Sequence, residues 1–297
     1  MDAADLRVFE AVARLNGMGK AAAALNTVQS NVTARIRALE DELGVALFER
    51  HSRGVTLTQA GRRLLPYAAE VADLIARARR AVLDDGTPRG PLVIGSLETT
   101  AGLRLPPILT RFAQRWPEVD LTLRTGTTAE SLAGVLDRTL EGAFVAGPVT
   151  HPDLLQTVVF REELVLVSAP GLTVSELLQA RDLKAMVLRA GCSYRARLEA
   201  VLAARGRPTV RLVEFGSLDA ILGCVAAGIG VTLLPRAVVQ AAATASRVAL
   251  HALPPREAMV ETLFVRRGDG LMTSALAVFL DCAGAPQAGS ATALAAE

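Results

Sequence analysis

Gln29, Ser30, Asn31, Thr33 and Arg35 stand within one short run, a dense set of side chains that donate and accept hydrogen bonds. The amides of Gln29 and Asn31 match the N6 donor and N7 acceptor of adenine, and the fork of Arg35 matches O6 and N7 of guanine. Thr33 offers a methyl to thymine or a hydroxyl to a base or phosphate, and Ser30 suits a helix cap or a phosphate oxygen. Arg53, in the polar turn Arg50-His51-Ser52-Arg53-Gly54, carries a charge suited to a minor groove or a phosphate, as Arg62 and Arg63 do farther on. The alternative for each of these is a side chain that simply faces water.

A second set is spread over the rest of the chain at four places: Ser96 with Thr99 and Thr100, Thr127 with Thr128, Ser193 with Tyr194, and Ser217. Each place reads as a strand end or a helix start, where hydroxyls beside unpaired N–H groups suit a carboxylate, sulfate or similar small oxyanion. Serine and threonine are also ordinary N-caps, and Thr127 with Glu130 has capping-box spacing, so both readings stay open. Arg104, Arg195 and Arg197 could lend charge to a ligand or form surface ion pairs. Cys192 reads as a packed thiol or as a sensor whose pKa is lowered by a helix start and Arg195.

Enzyme chemistry finds little to work with. There are 3 histidines, of which His51 and His151 stand alone in loops, and no G-x-S-x-G, H-E-x-x-H or Walker motif. The 3 cysteines, Cys192, Cys224 and Cys282, are too scattered for a disulfide framework or a metal site. No enzyme activity, metal or cofactor is expected.

The elements that must position these residues follow from periodicity. Leu6, Phe9 and Ala13 mark one helix, Ala22 and Leu25 a second, and Val32, Ile36, Leu39 and Leu43 a third, with Val32, Ile36 and Leu39 facing inward. Leu47-Phe48-Glu49 and Val55-Thr56-Leu57 flank the polar turn as a small hairpin. Three short helices and a wing are the parts of a winged helix-turn-helix, whose second helix enters a major groove. Thr58 then caps a long helix in which Leu64, Ala68, Val71, Ile75, Ala78 and Val82 form a seam suited to a coiled-coil pair. Residues 84–91 combine acids, glycine and proline as a hinge.

Beyond the hinge, strand-like and helix-like segments alternate twice, the βαβ rhythm of a parallel sheet folded as two α/β lobes. The expected division is residues 1–58 for the winged helix-turn-helix and 59–89 for the linker helix and hinge. Residues 90–283 form the two-lobed domain, with lobe I at about 90–161 and 265–283 and lobe II at about 162–264, and a disordered tail covers 284–297. The formal net charge of +2 lies in residues 1–89, which hold 13 Lys/Arg against 11 Asp/Glu and leave 19 of each elsewhere. No apolar run approaches the roughly 18 residues of a membrane span, and the start lacks a secretory pattern, so a cytoplasmic protein is expected.

Five blocks then resemble the LysR-type family of bacterial transcription regulators in their usual order. They are Leu6-Arg7-Val8-Phe9-Glu10-Ala11-Val12-Ala13, Ala21-Ala22-Ala23-Ala24-Leu25-Asn26, Val28 through Glu40, Glu42-Leu43-Gly44-Val45-Ala46-Leu47-Phe48-Glu49-Arg50, and Leu57-Thr58-Gln59-Ala60-Gly61. The chain departs from the common pattern at Val28-Gln29-Ser30-Asn31, where Ser-Gln-Pro-Ala is usual, and at Ala34, often an arginine. The resemblance implies a winged helix-turn-helix, a linker helix and a periplasmic-binding-protein-like domain. It also implies double-stranded DNA with an inverted-repeat operator, a small effector in the C-terminal cleft, for which the hydroxyl-bearing corners leave an anion as one reading, and homodimers assembling to a homotetramer.

Overall fold

The computed structural model describes residues 1–51 and 54–284. The chain folds as two compact units, one from Met1 to Asp85 and the other from Gly86 onward. The expected tail lies outside the described residues, apart from Gly284, which ends the last helix.

In the first unit, α1 (Ala3–Leu15) starts at Asp2, whose side chain accepts from Asp5 N while Asp5 accepts from Asp2 N, and it stops at Asn16 in the left-handed region. It buries Leu6, Phe9 and Val12 against α2 (Met18–Ala24) and α3 (Gln29–Leu43). In α3 the residues Val32, Ile36 and Leu39 are buried at helical spacing, and Gly44, with φ 68°, ends it. Leu43, read from the sequence as the next member of that stripe, is exposed because the helix has reached the edge of the core.

The wing is β1 (Phe48–His51) paired antiparallel with β2 (Gly54–Leu57), and Phe48 sets its ring 5.2 Å from that of Phe9. Glu40 of α3 holds the wing's base by accepting from Leu47 N at 2.7 Å and Phe48 N at 3.1 Å. Thr58 caps α4 (Gln59–Leu83) by accepting from Gly61 N, as expected. Truncating a wholly buried aromatic such as Phe9 costs about 3–5 kcal/mol in sites of this kind.

The second unit runs through β3 (Gly90–Ser96), α5 (Glu98–Leu103), α6 (Leu105–Arg115), β4 (Val119–Thr125), α7 (Thr128–Leu136), β5 (Gly142–Ala146) and β6 (Leu154–Ser168). It continues with α8 (Val174–Gln179), β7 (Lys184–Leu188), α9 (Ser193–Ala204), β8 (Arg211–Phe215), α10 (Leu218–Ala226) and β9 (Thr232–Pro235). The last elements are α11 (Arg236–Thr244), β10 (Ala249–Ala252), α12 (Pro255–Ala258), β11 (Met259–Arg267) and α13 (Ser274–Ala283).

A seven-stranded sheet has the order β10-β6-β11-β5-β3-β4, with β9 also paired to β6. The pair β7-β8 joins β9 through hydrogen bonds from Met186 N to Val231 O and from Val231 N to Lys184 O. The first half of β6 pairs with β11, and its second half pairs with β9 and β10, so one strand builds part of each lobe.

The parallel sheet expected from the βαβ rhythm is found at β3-β4, β3-β5 and β7-β8, while β6, β9, β10 and β11 pair antiparallel. The correction has a topological cause. β6 and β11 carry the chain from one lobe to the other and back, so they run in opposite directions. Apolar clusters cover both faces of the first lobe's sheet, one around Phe112, Phe144 and Phe279 and the other around Val135, Val145 and Val265.

Gly61 shows how tightly α4 seats on the wing. A Cβ there would lie 2.3 Å from Leu47 O, a backbone atom that cannot step aside. Gly61→Ala is expected to destabilise the first unit by about 1–3 kcal/mol, read as lost amide hydrogen-exchange protection in α1 and α3 with α9 unchanged.

Candidate nucleic-acid face and effector cleft

On the first unit, the buried stripe of α3 leaves Gln29, Ser30, Asn31, Ala34, Arg37 and Ala38 exposed, with Thr33 half-buried. Val28, the N-cap residue, offers no capping side chain, and Ser30 sits inside the first turn. The capping role read for Ser30 is therefore corrected, because the helix starts at Gln29, two residues earlier than that role needs. Asn31 Nδ2 donates to Thr27 Oγ1 at 3.0 Å, which fixes its amide across the turn. A Cβ on Gly19 would lie 3.1 Å from Gln29 Oε1, so the glycine leaves room for the glutamine over α2.

Arg35 is placed differently from the sequence reading. Its Nη1 donates to Asp5 Oδ1 at 2.8 Å and lies 3.9 Å from Asp2 Oδ1. The guanidinium set by sequence over a guanine is thus engaged by the acids that open α1, because position 35 adjoins the buried Ile36 on the side facing α1. Arg37, two residues on, is exposed on the same face as Ser30 and Ala34 and has no ion pair among the described residues. Sequence reading passed over it, although the spacing 30, 34, 37 against the buried 32, 36, 39 marks it as outward. Arg62 and Arg63 are exposed. Arg53 lies outside the described residues, so its reading as a groove contact stays an expectation.

In the second unit, three of the four hydroxyl-bearing corners contribute to one cavity of about 200 Å³, and the fourth borders it through Gly216. Thr99, Thr127 and Tyr194 line it, while Ser96, Thr100, Thr128, Ser193 and Ser217 are set back. Ser96 is fully buried and donates to Leu97 O. Ser193 Oγ donates to Thr128 Oγ1 at 3.0 Å, joining the start of α9 to the start of α7. Ser217 stands at the start of α10 but makes no side-chain cap. Gly191, at φ 88°, brings its carbonyl within 3.4 Å of Ala129 N, with Thr127 Oγ1 3.0 Å from where a Cβ would be.

Two acids and an arginine that sequence reading did not single out as ligand contacts complete the site. Glu98, the first residue of α5, lines the cavity and accepts from Leu218 N, at the start of α10, at 3.4 Å. Glu130 closes the capping box on α7, accepting from Thr127 N at 2.8 Å, and these bonds hold its carboxyl below the usual carboxylate range. Arg189 lines the cavity and reaches Glu130 at 3.6 Å. The anion reading assumed free amides at these helix starts; at α7 and α10 one amide each, Thr127 N and Leu218 N, is already taken by a carboxylate of the protein.

Arg104, Arg195 and Arg197 do not line the cavity. Arg104 forms a bidentate pair with the buried Glu162 at 2.8 and 3.0 Å, Arg195 bonds Glu199 and Glu214, and Arg197 donates to Gly147 O. Tyr194 is buried, and burial pushes its hydroxyl to about 12, so it is a neutral group 3.5 Å from Thr99 Oγ1.

Burial likewise raises the Cys192 thiol, and the amides of Arg195 and Tyr194 and the charge of Arg195 offset this only in part. The lowered thiol pKa expected from the helix start is corrected, because desolvation outweighs the nearby positive charge. Among the described residues no group of three or more His, Cys, Asp or Glu could hold a metal, and no helix is long and apolar enough to cross a membrane.

A winged helix-turn-helix followed by a two-lobed domain with a polar interlobe cavity defines a class of ligand-responsive DNA-binding proteins. Comparison with known proteins makes this specific. Residues 3–62 match the bacterial regulatory helix-turn-helix protein, lysR family, and residues 85–286 match the LysR substrate binding domain. The chain is 44% identical over 276 residues to the HTH-type transcriptional regulator GltR of Bacillus subtilis, covering 93% of each. It is 43% identical over 281 residues to YofA of the same organism, covering 95% of this chain and 98% of YofA.

A solved structure of full-length CbnR complexed with its target DNA has a TM-score of 0.66 at 24% identity, covering 96% of this chain and 99% of that one. The chain belongs to the LysR family: it is a DNA-binding transcriptional regulator with a C-terminal substrate-binding domain.

The raised thiol has a measurable consequence. The alkylation rate of Cys192 by iodoacetamide, followed by mass spectrometry, should reach half its plateau at a pH above about 8.5, the midpoint of a free cysteine. A plateau below neutral pH would show an activated thiolate instead.

Proposed function

We propose that the chain regulates transcription by laying α3 in the major groove of an inverted-repeat operator as a homodimer that assembles to a homotetramer, with binding or activation modulated by a small effector in the cavity of the second unit. The observation that carries the DNA reading is the exposed, uncapped start of α3 over a wholly buried stripe of Val32, Ile36 and Leu39. Gln29, Ser30, Asn31 and Thr33 face base edges and phosphates. Arg37 takes the outward cationic role first read for Arg35, and Arg53 reaches the backbone or minor groove from the wing.

Pairing of protomers runs along the later part of α4, where Leu74, Ile75, Val82 and Leu83 are exposed in the single chain; Leu64, Ala68 and Val71, read from the sequence as the start of the seam, pack instead in the first unit's own core. The effector domain divides into lobes near the irregularity in β6-β11 pairing at Thr262/Leu263, and the effector acts by changing lobe closure. This reading places the protein in the cytoplasm without a catalytic role, in line with the regulators it is similar to.

The test is selection of genomic fragments by purified protein at defined salt, because affinity for DNA depends on counterion release. The wild type should recover sites with two related half-sites. Arg37→Ala should weaken binding and reduce the magnitude of the salt slope by about one if it meets a phosphate, or relax one base position at a cost of about 1–3 kcal/mol if it meets guanine. Arg35→Ala should change affinity less, since it removes a part-exposed pair with α1 worth about 1 kcal/mol or under. Equal, weak binding of all fragments by every variant would sink the assignment of α3. Separately, Ile75→Asp with Val82→Asp should shift the sedimenting species to monomer, and an unchanged oligomer would move the interface elsewhere.

A further inference from the structure

We infer that the ligand of the interlobe cavity is a small molecule bearing an ammonium group, held by the carboxylate of Glu98. This inference rests on the reading of the cavity as the effector site and adds the charge class of its occupant.

The polar groups around the cavity divide unequally. Four donors at the helix starts are already engaged: Thr127 N and Glu130 N lie inside the capping box of α7, Ala129 N donates to Gly191 O, and Leu218 N donates to Glu98. At the start of α9 no side chain caps the helix, and Arg189, which lines the cavity, faces Glu130 at 3.6 Å. Against these engaged donors stands one acceptor with capacity to spare. Glu98 lines the cavity with no ion pair among the described residues and one long bond of 3.4 Å, and its charge is felt at Cys192.

Glu98 is a half-buried carboxylate, and a cation bound beside it would make a charge-assisted hydrogen bond. An anion entering the same space would meet the carboxylate of Glu98, and the arginine in the lining, Arg189, already faces Glu130 at 3.6 Å. The cavity's size sets the other limit. At about 200 Å³ it falls below the usual span of drug-sized pockets, so its ligand has few heavy atoms. Hydroxyls of Thr99, Thr127 and Tyr194 accept or donate toward whatever polar group accompanies the ammonium.

The experiment is calorimetric titration of the full-length protein with ethanolamine and glycine as ammonium probes and with glycolate and sulfate as anions. Wild type, Glu98→Gln and Gly216→Trp are compared, with circular dichroism confirming that each is folded. Glu98→Gln keeps an oxygen for Leu218 N, and Gly216 lines the cavity at a point where a Cβ meets no atom within 4 Å, so a bulky side chain added there takes up cavity space.

The expected result is binding of an ammonium probe to wild type, weakened at least about tenfold in Glu98→Gln and abolished in Gly216→Trp, with anions bound no better than in controls. Anions preferred over ammonium probes in wild type, and lost in Gly216→Trp, would overturn the charge assignment while leaving the cavity as the effector site. Ammonium binding that survives Gly216→Trp would overturn both. No ammonium binding to wild type at the highest soluble concentration overturns the inference, and so does equal binding to Glu98→Gln.

Discussion

The backbone ladder of β6 is the constraint on which the second unit depends. From Leu154 to Glu163 this strand pairs with β11, and from Leu164 to Ser168 it pairs with β9 and β10 in the second lobe's sheet. Because hydrogen-bonded backbone is shared, neither lobe can form its sheet without fixing a strand of the other. The cavity lies between the strand ends so positioned, where open α/β sheets leave a crevice. The buried pair of Arg104 with Glu162 ties the end of α5, which carries Glu98 and Thr99, to the same stretch of β6. Such a pair contributes little net stability, but loss of one partner leaves a buried charge, so it specifies geometry more than it stabilises.

Acidic side chains organise the chain at several element ends for one physical reason. Helix starts and loop entries present N–H groups with no intrahelical acceptor, and a carboxylate satisfies them with a charge-assisted bond. Asp2 opens α1, Glu40 anchors the wing, Glu130 closes the box on α7, and Glu98 reaches α10 from α5. Where both bonding groups belong to one local turn, the acid is simply a cap. Where they belong to different lobes, as with Glu98 and Leu218, the same bond becomes part of the cavity and sets its charge.

Helix phase made the nucleic-acid face legible. Val32, Ile36 and Leu39 repeat at core spacing, so the outward side of α3 was readable, and the structure keeps Gln29, Ser30 and Asn31 exposed. The role of Arg35 was not readable in the same way, because its acids lie thirty residues earlier and only the packing of α1 on α3 brings them to it. Strand readings show a similar split. β3, β4, β5 and β9 stood out as apolar runs, whereas the polar first half of β6, Gln156 through Glu163, has no clean alternation and was not read as strand. Its partner β11 was missed for a related reason: in a strand covered on both faces and crossing between lobes, burial changes along its length.

What the sequence by itself determined is the order of parts: the three helices and wing, the capped long helix, the hinge, the α/β domain and the four hydroxyl-bearing corners. Each is a local pattern of periodicity, caps and turn residues. Tertiary structure alone decided the antiparallel crossing of the lobes, the capture of Arg35 by Asp5, the raised thiol of Cys192, and the meeting of Glu98 with α10. These depend on pairings between residues distant along the chain, and on desolvation, which is a property of the surrounding fold and not of the residue that feels it.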